Sequence, residues 1–537
     1  MNVPYLQDLH GKKILMVHGK PLILLGGEVH NSNSSSGEAM VPVWEKADEL
    51  GMNALLLPVA WEQIEPEENV FQFDLVDTLL RQARQHEKKI VFLWFGSWKN
   101  AQCFYAPPWV KRDLSRFRRA QVVKGKNRVV LTGKHEMSYS TLSAFCAGTM
   151  EADAKAFAAF MSHLRLVDSE DNTVVAVQVE NETGLMGQAR EESEEADLKF
   201  FSPVPDRCIE YLISRRGELM PELAEVLPER ILAGMTWSQL FGSMAEECFT
   251  AYYTASFVQH VAAAGKKEYP LPMLVNCWLD KGQKPGLYPT GGPVAKVMDL
   301  WHSAAPDIEI IAPDIYIPDF CGTCDRYTRQ GNPLFIAECA THAYAAARAV
   351  YTVGYYHTVC YSPFGFEELG QPFSAFQGVL FGMDVEDEAL KTPQDPAEYR
   401  KVNEILGELM PLLGKAYGTK YLQAACGEAE SLRDSQEMEF DDFAFKPSFS
   451  HRFLNRRNGA CLILQISPDT FYVLMDGCII TPCSLDKKNR EAEYLLVEEG
   501  SLKNGVWKPI RRLNGDEVQV LMADEPVLLK IQLFALA

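Results

Sequence analysis

Two glutamates of this sequence stand where a run of apolar residues ends. Glu182 closes "TVVAVQVENETG" (173–184), and Glu338 closes "PLFIAECA" (333–340). Both runs read as buried strands, so each carboxylate is expected at the edge of a core. A pair of carboxyl groups about 5–5.5 Å apart is what a retaining glycosidase uses. One group gives a proton to the leaving oxygen and the other, ionised, attacks the anomeric carbon, so their environments must separate the two pKa values.

Two neighbours of Glu182 belong to the same segment. Asn181 offers an amide that can hydrogen-bond a sugar 2-hydroxyl, a contact that strengthens in the transition state. Glu180 shares a strand face with Glu182, and we expect it to be structural, bound to a cation from a neighbouring strand. The segment therefore predicts one catalytic and one structural carboxylate around a sugar-binding amide.

Eight apolar runs alternate with helical patterns over the first 420 residues. They are continuous rather than alternating, as a parallel sheet covered on both faces requires. The runs span 21–30, 52–61, 89–98, 174–182, 271–280, 308–317, 333–340 and 358–366. This order predicts an α/β fold, a (β/α)₈ TIM barrel over residues 1–420. The runs end in polar or aromatic residues, where such a barrel builds its active site, and strands four and seven lie across the mouth from each other, so Glu182 and Glu338 can converge.

The pattern changes after about residue 420. "DTFYVLMDGCIITPC" and "GVWKPIRRLNGDEVQVLM" are short, partly alternating runs punctuated by Asp-Gly and Asn-Gly. Such runs are typical of antiparallel strands joined by tight turns. We expect a smaller, all-β, sandwich-like domain over residues 421–537, which packs against the barrel or supports an oligomer. A carbohydrate-binding module is the alternative.

Composition limits the partners and the compartment. The 537 residues are 47% hydrophobic and 23% charged, as in soluble globular proteins. A net charge of −20 argues against a nucleic acid or an anionic membrane as partner, since both need a basic footprint. No stretch approaches the roughly 20 apolar residues that span a bilayer, and the N-terminus does not resemble a signal peptide. Thirteen scattered cysteines, an odd number, suit reduced thiols, so we expect a cytoplasmic protein.

Several segments carry a family resemblance. "VQVENETG" resembles the Gln-x-Glu-Asn-Glu-x-Gly signature of glycoside hydrolase family 35, the β-galactosidase family, and "PLFIAECA" is similar to its nucleophile segment. "GGEVHNSNSSS" and "AWEQIEPEENVFQFD" resemble its first-strand and second-strand segments. "LWFGSWKN", "YAPPWVKRD", "YPLPMLVNCWL", "APDIYIPDF" and "YSPFGFEE" are similar to a bacterial subgroup with a C-terminal β-domain of unassigned function. The resemblance covers nearly the whole chain.

The resemblance implies a role for each matching residue. Glu182 would be the acid/base and Glu338 the nucleophile of a double displacement that releases terminal β-D-galactose from oligosaccharides. Asn181 would hold the sugar beside the acid, and Tyr316 would orient the nucleophile. Further sugar-subsite residues would be Glu28, His30, Trp61, Glu62 and Trp98. No metal or cofactor is implied, and the resemblance is compatible with a homodimer.

Three departures separate the sequence from that family. Thr183 stands where typical members have Tyr, and "FGSWKN" replaces their Cys-Ala-Glu segment after the third strand. Glu62 and Ile64 occupy the Asn and His positions of the second strand. The catalytic pair is unaffected, whereas the contacts that select galactose are not copied. A β-glucosidase or an α-L-arabinosidase with the same mechanism therefore stays open.

Classes other than glycosidases also stay open. A metal-dependent barrel enzyme could use Glu338 with His342, although HExxH is absent and we expect His342 on the exposed first turn of the next helix. Aldolase chemistry would need a lysine at a strand end, for which Lys99 is the candidate. A non-catalytic sugar-binding barrel is a further class, against which the Asn-Glu pair and the second glutamate argue.

Overall fold

The structure is a computed structural model, which describes residues 3–132, 139–381, 392–429, 436–451, 454–455, 458–486 and 491–536. Eight parallel strands form a closed barrel, as the apolar runs predict. In chain order they are β1 Leu24–Glu28, β2 Ala54–Ala60, β3 Lys89–Phe95, β4 Val174–Val179, β5 Met273–Trp278, β6 Ile310–Ile315, β7 Phe335–Cys339 and β8 Cys360–Tyr361.

The seventh strand closes the barrel. It is interrupted at Ala337: Phe335–Ile336 pairs with β8, and Glu338–Cys339 pairs with β6. Because β8 in turn pairs with β1, the sheet has no free edge. The second pairing sets Glu338 directly opposite Asp314 of β6.

One helix follows each barrel strand and covers its outer face. These helices are α1 Gly37–Glu49, α2 Asp74–Gln85, α3 Ala147–Asp168, α4 Ala245–Glu268, α5 Met298–Ala304, α6 Phe320–Tyr327, α7 Ala345–Tyr351 and α8 Pro396–Ala416. Additional helices lie in the connections at Trp61–Ile64, Pro108–Arg112, Glu194–Phe200, Asp206–Ser214, Pro221–Val226, Trp237–Phe241 and Ala375–Leu380. A hairpin of Gln121–Lys124 and Asn127–Val130 lies between β3 and α3.

Alternate strand residues fill two separate cores. Leu55 and Leu57 of β2 pack outward against the helices, whereas Leu56 packs inside the barrel. Leu15 and Val17 belong to the same inner cluster. They lie on a three-stranded antiparallel sheet at the N-terminus, formed by Tyr5–Leu9, Lys12–Val17 and Lys20–Leu22, which the sequence did not reveal.

The C-terminal region is an all-β domain of two packed antiparallel sheets, as predicted. The six-stranded sheet contains, in spatial order, Leu422–Cys426, Ala460–Ser467, Thr470–Asp476, Val527–Ala535, Ala492–Lys503 and Val506–Arg512. The four-stranded sheet contains Met438–Glu439, Phe443–Ser448, Cys478–Ser484 and Met522–Ala523. Asn504 and Gly505 both have positive φ and form the two-residue turn of a hairpin. The Asp-Gly and Asn-Gly pairs within the quoted runs do not form hairpin turns: Asp476-Gly477 lies between strands of different sheets, and Asn514-Gly515 precedes the short helix Asp516–Gln519.

The strand Ala460–Ser467 of the six-stranded sheet is buried on both faces. Leu462 and Leu464 belong to the apolar cluster of the barrel helices, whereas Ile463 belongs to the core between the two sheets. A buried ion pair between Arg348 of α7 and Glu428 joins the two regions. The β-domain therefore packs directly on the barrel, as one of the expected roles requires.

Candidate active site

A cavity of about 650 Å³ opens at the carboxyl ends of the barrel strands. Its polar wall includes Lys99, Asn100, Glu182, Asp314, Tyr316 and Glu338. These six side chains come from the segments that end β3, β4, β6 and β7. Ligands of parallel barrels bind at this end because the connections there are free to vary.

Glu182 is held at the cavity by its own backbone. Its N–H donates to the Asn276 side chain (3.0 Å), and its carbonyl accepts from Ala101 N–H (3.0 Å). Asn100 donates to the Glu182 carboxylate. The residue has φ of 43°, a backbone conformation that a non-glycine residue keeps only where its surroundings enforce it.

Glu338 is oriented by two neighbours. The Tyr316 hydroxyl donates to its Oε2 at 2.8 Å, the contact that the resemblance implies. Asn276 Nδ2 donates to Oε1 at 3.4 Å and to Asp314 Oδ2 at 2.9 Å. The single side chain of Asn276 thus contacts the backbone of Glu182 and the carboxylates of Glu338 and Asp314.

The carboxylates of Glu182, Asp314 and Glu338 form a cluster with one oxygen of each within 4.8 Å of the others. Their residues are only 6%, 3% and 5% exposed. Carboxylate oxygens within 4.8 Å of one another are compatible with the roughly 5–5.5 Å between the carboxyl groups of a retaining pair, whereas an inverting pair needs roughly 6.5–9.5 Å to admit water. The geometry is therefore suited to direct attack by one carboxylate.

The environment of Glu182 favours its protonated form. Burial and the negative charge of Glu338 raise the pKa of Glu182 to about 7, against the lowering effect of Lys99 and Asn100. Burial, Glu338 and Glu182 likewise raise the pKa of Asp314 well above its usual range. Around neutral pH, Glu182 can therefore give up a proton and take it back.

Lys99 supplies the positive charge of the cavity wall. Its Nζ lies 5.0 Å from the centre of the Phe95 ring, and the residue is 5% exposed. Burial acts to lower the pKa of Lys99, but Glu338 and the other carboxylates more than offset this and raise it. A lysine held as ammonium is a poor nucleophile for a Schiff base, which weakens the aldolase alternative.

The sequence-predicted sugar residues fall into three groups. Tyr316 and His30 line the cavity. Glu28, Asn181 and Trp98 are buried and do not line it, and none of their side-chain polar atoms has a hydrogen-bond partner within the described ranges.

Trp61 and Glu62 lie away from the cavity. The chain turns into the helix Trp61–Ile64 directly after β2, so that Trp61 is buried and donates to Glu65 (2.9 Å). Glu62 pairs with Lys111 at 3.0 Å. The structure gives neither residue a contact with the cavity.

The expectation that Glu180 binds a cation was wrong. Its Oε2 accepts from Trp98 N–H (2.7 Å), and its Oε1 approaches Gly96 together with Oδ1 of Asp153 of α3. Burial and the charge of Asp153 raise the pKa of Glu180 well above its usual range, because a second negative charge there would be unpaired. The surroundings of Glu180 thus favour the protonated form, and no ion pair of this residue occurs within the described residues.

Sequence reasoning gave no role to Asn276, Asn100 or Asp314. Asn276 is the one strongly polar residue inside the apolar run "LPMLVNCWLD", which is a usable signal for a functional strand residue. Asp314 precedes Tyr316 by two residues in "APDIYI" and therefore shares its strand face. Asn100 lies in the loop after β3, where the sequence shows no pattern.

The three-carboxylate cluster is also a candidate cation site. Carboxylate oxygens are ligands that hard divalent cations accept. His342 is not part of this group. It is buried rather than exposed, contrary to our expectation, and its ring nitrogens lie 3.2 Å from Tyr344 N and 3.4 Å from Arg348 Nη1.

Three large apolar side chains surround the mouth of the cavity. Phe104, Leu287 and Val379 are 57%, 52% and 70% exposed and come from the connections after β3, β5 and β8. Nearby, the ring of Tyr316 stacks on Phe381 with centroids 4.7 Å apart. Exposed apolar groups gathered at one opening are typical of ligand-binding grooves.

Comparison with known proteins gives one family model and several solved structures to which parts of the chain are similar. Residues 399–523 match a family model described as a domain of unknown function, DUF5597. No curated protein matches the chain. Solved structures with a similar fold include the β-galactosidase from Bacillus circulans sp. alkalophilus (10% identity, 73% of this chain and 57% of that one, TM-score 0.46). Another is the β-galactosidase from Marinomonas ef1 (12%, 73% and 60%, TM-score 0.47).

A third similar structure is the catalytic domain of the β-amylase from Paenibacillus polymyxa (11% identity, 70% of this chain and 96% of that one, TM-score 0.45). The chain spans less than two thirds of the length of the two β-galactosidases.

None of the helices within the described residues combines the length and the apolar content that a membrane span needs. All thirteen cysteines are free thiols.

Proposed function

We propose that this protein is a retaining glycoside hydrolase, with Glu182 as acid/base and Glu338 as nucleophile. The observation that carries the proposal is the pair of buried carboxylates within 4.8 Å, of which one has a pKa near 7. The motif resemblance to glycoside hydrolase family 35 supports the same two residues. The C-terminal β-domain of this protein would pack against the barrel without taking part in the chemistry.

The first half-reaction follows from the two environments. Glu338, oriented by the Tyr316 hydroxyl, attacks the anomeric carbon while Glu182 gives its proton to the leaving oxygen. Lys99 lies among the carboxylates and offsets their negative charge. The products are a glycosyl ester of Glu338 and an ionised Glu182.

The second half-reaction uses the change in charge at Glu338. Its negative charge is one cause of the raised pKa of Glu182, and the ester is neutral. The pKa of Glu182 therefore falls in the intermediate, as a carboxylate that must accept a proton from water requires. Water then attacks the anomeric carbon, and the sugar leaves with its original configuration.

The substrate we propose is an oligosaccharide with a terminal β-D-galactose. The sugar rests on the family resemblance, which also implies sugar-binding roles for Glu28, Asn181 and Trp98. These three side chains are buried and do not line the cavity. His30 and Tyr316 would contact the sugar from the cavity wall. A cytoplasmic homodimer acting on imported oligosaccharide fits this proposal.

The apolar mouth bears on the leaving group. Phe104, Leu287 and Val379 would contact the aglycone side of a bound glycoside and favour apolar or aromatic groups there. Aryl glycosides are therefore suitable first substrates.

A panel of p-nitrophenyl glycosides tests the proposal. We expect release of nitrophenol from the β-D-galactoside at least tenfold faster than from the β-D-glucoside or the α-L-arabinoside. A parallel preparation of the E338Q protein controls for contaminating hydrolases. A preference for another sugar would correct the substrate, and no release from any glycoside would contradict the reaction class.

The carboxylate cluster supports one second candidate, a metal-dependent barrel hydrolase. In that case EDTA would abolish activity, and a divalent cation would restore it. Our primary proposal expects unchanged rates in EDTA, because both catalytic groups are protein carboxylates.

A further inference from the structure

A second pair of carboxyl groups is sealed behind the catalytic cluster. Asp153 of α3 and Glu180 after β4 are both fully buried. They approach Gly96 so closely that a Cβ there would lie 2.7 Å from Glu180 Oε1 and 2.8 Å from Asp153 Oδ1. Only glycine leaves room for both oxygens at that position.

The hydrogen bonds around this pair locate a proton. Asp153 accepts from Trp94 Nε1 (2.9 Å), Ser97 N (3.0 Å) and Ser97 Oγ (2.5 Å), as an ionised carboxylate does. Glu180 Oε2 accepts from Trp98 N (2.7 Å). Glu180 Oε1 is buried with no hydrogen-bond partner among the described residues, and it approaches Gly96 together with Asp153 Oδ1. A proton on that oxygen turns it into a donor to Asp153 and satisfies both groups.

The same contacts hold a strained piece of backbone. Glu180 and Glu182 have φ of 65° and 43°, and non-glycine residues with positive φ persist only where other contacts enforce them. Trp98 N binds the Glu180 side chain, while Trp98 O accepts from Asn181 N at 3.3 Å. The segment that presents Glu182 is thus tied to the end of β3 through Glu180.

We propose that Glu180 and Asp153 share one proton and act as a positioning pair, which fixes the strained segment 180–182 and so places Glu182 for proton transfer. Burial and the charge of Asp153 raise the pKa of Glu180 in agreement with the geometry. What is said of Glu182 rests on the proposed function, whereas the shared proton does not.

The variant E180Q tests where the proton lies. A glutamine amide can donate to Asp153 and accept from Trp98 N–H, so it replaces a protonated glutamate. We expect kcat within twofold of the wild type and the same fall of activity above pH 7. A kcat loss above tenfold, or failure to fold, would overturn the shared proton.

The variant D153N tests the positioning role. An asparagine must turn its NH₂ toward Trp94 Nε1 or Ser97 N–H, which are both donors, so the segment is expected to shift. We predict a kcat loss of at least tenfold with KM changed less than threefold. If D153N does not fold, S97A removes one donor to Asp153 and should still lower kcat at least threefold.

Asp168 offers a matched control at the other end of the same helix. It is also buried, and it accepts from Thr173 N and Val174 N at the start of β4, far from the cavity. D168N should lower the melting temperature and leave kcat unchanged. Equal kcat losses in D153N and D168N would contradict the positioning role of Glu180 and Asp153 and leave them a purely structural one. An unchanged kcat in both D153N and S97A would do the same.

A second measurement is independent of any activity. In the folded protein Glu180 keeps its proton, while an unfolded glutamate loses it above about pH 4.3, so this residue makes wild-type stability fall as pH rises. The titratable group that acts on Glu180 is Asp153 of α3, to which the indole of Trp94 in β3 and the hydroxyl of Ser97 after β3 donate. The melting temperature of E180Q, relative to that of the wild type at the same pH, should therefore rise between pH 5 and 8. A constant difference would overturn the shared proton even if no glycoside were hydrolysed.

Discussion

Glu180 and Glu182 lie two residues apart at the end of one strand, yet their surroundings differ in kind. Glu182 faces a cavity and lies within reach of Lys99 and two further carboxylates. Glu180 faces the protein interior, where the charge of Asp153 acts on it. The first carboxyl group can exchange its proton with a ligand, whereas the second is sealed. Access to the cavity, and not burial or pKa, therefore separates a catalytic acid from a structural one.

The largest effect is expected from E338Q. Glutamine keeps the size of the side chain and can still accept from the Tyr316 hydroxyl, but it cannot form the glycosyl ester. We expect kcat to fall roughly 10⁴-fold or more, by analogy with the loss of other nucleophiles, while the melting temperature stays within a few degrees of the wild type. Near-normal turnover by E338Q would show that another group is the nucleophile.

The variant E182Q tests most directly whether Glu182, and not Glu180, acts as the acid. Without its acid, the enzyme should lose roughly 10²- to 10⁴-fold in kcat/KM on a poor alkyl leaving group and much less on 2,4-dinitrophenyl glycoside, which needs no proton. The wild type should lose activity as pH rises through about 7, where Glu182 loses its proton, and E182Q should not.

Two matched variants control this result. E180Q changes a glutamate two residues away, and E191Q changes a buried glutamate whose pKa is likewise about 7 but which binds Ser143 outside the cavity. Both should keep the pH profile of the wild type. If E191Q altered the pH profile and E182Q did not, the loss of activity near pH 7 would belong to Glu191 and our assignment to Glu182 would be wrong.

A smaller change is expected from K99M. Lys99 lowers the pKa of Glu182, so removal of its charge should raise that pKa and move the fall in activity to higher pH. The control is K111M, since Lys111 pairs with Glu62 away from the cavity. A shift to lower pH in K99M would contradict the charge balance that we describe.

The smallest effect should come from F104A at the mouth. A phenyl ring that is already half exposed contributes about 1 kcal/mol to an aryl group that it covers, which is roughly fivefold in KM. The KM for aryl glycosides should rise by that factor with kcat unchanged, while the KM for a disaccharide changes less. An equal increase in KM for both substrates would contradict the proposed preference for apolar aglycones.

The barrel and the positions of its two glutamates could be predicted because continuous apolar runs and strand-end polarity are local signals. The partner of Glu180 was harder to find, because Asp153 lies in a helix 27 residues earlier. It shares a helical face with Phe157 and Phe160, and an acid on an apolar stripe is the signal that was available.

Trp61 shows the opposite limit. It ends an apolar run in the sequence, but the next turn of the chain is helical and turns its ring toward Glu65 and Trp109. The direction of the Trp61 side chain is set by the helical connection that follows β2, whereas the apolar pattern of the sequence identifies only the strand before it.

The central claim, attack by Glu338 on a sugar whose leaving group receives a proton from Glu182, fixes the configuration of the product. The most direct test is ¹H NMR of the anomeric signal during hydrolysis of the best p-nitrophenyl β-glycoside, before mutarotation. The account predicts that the first sugar released is the β-anomer. Early appearance of the α-anomer would mean inversion and would contradict the assignment of Glu338 as the nucleophile.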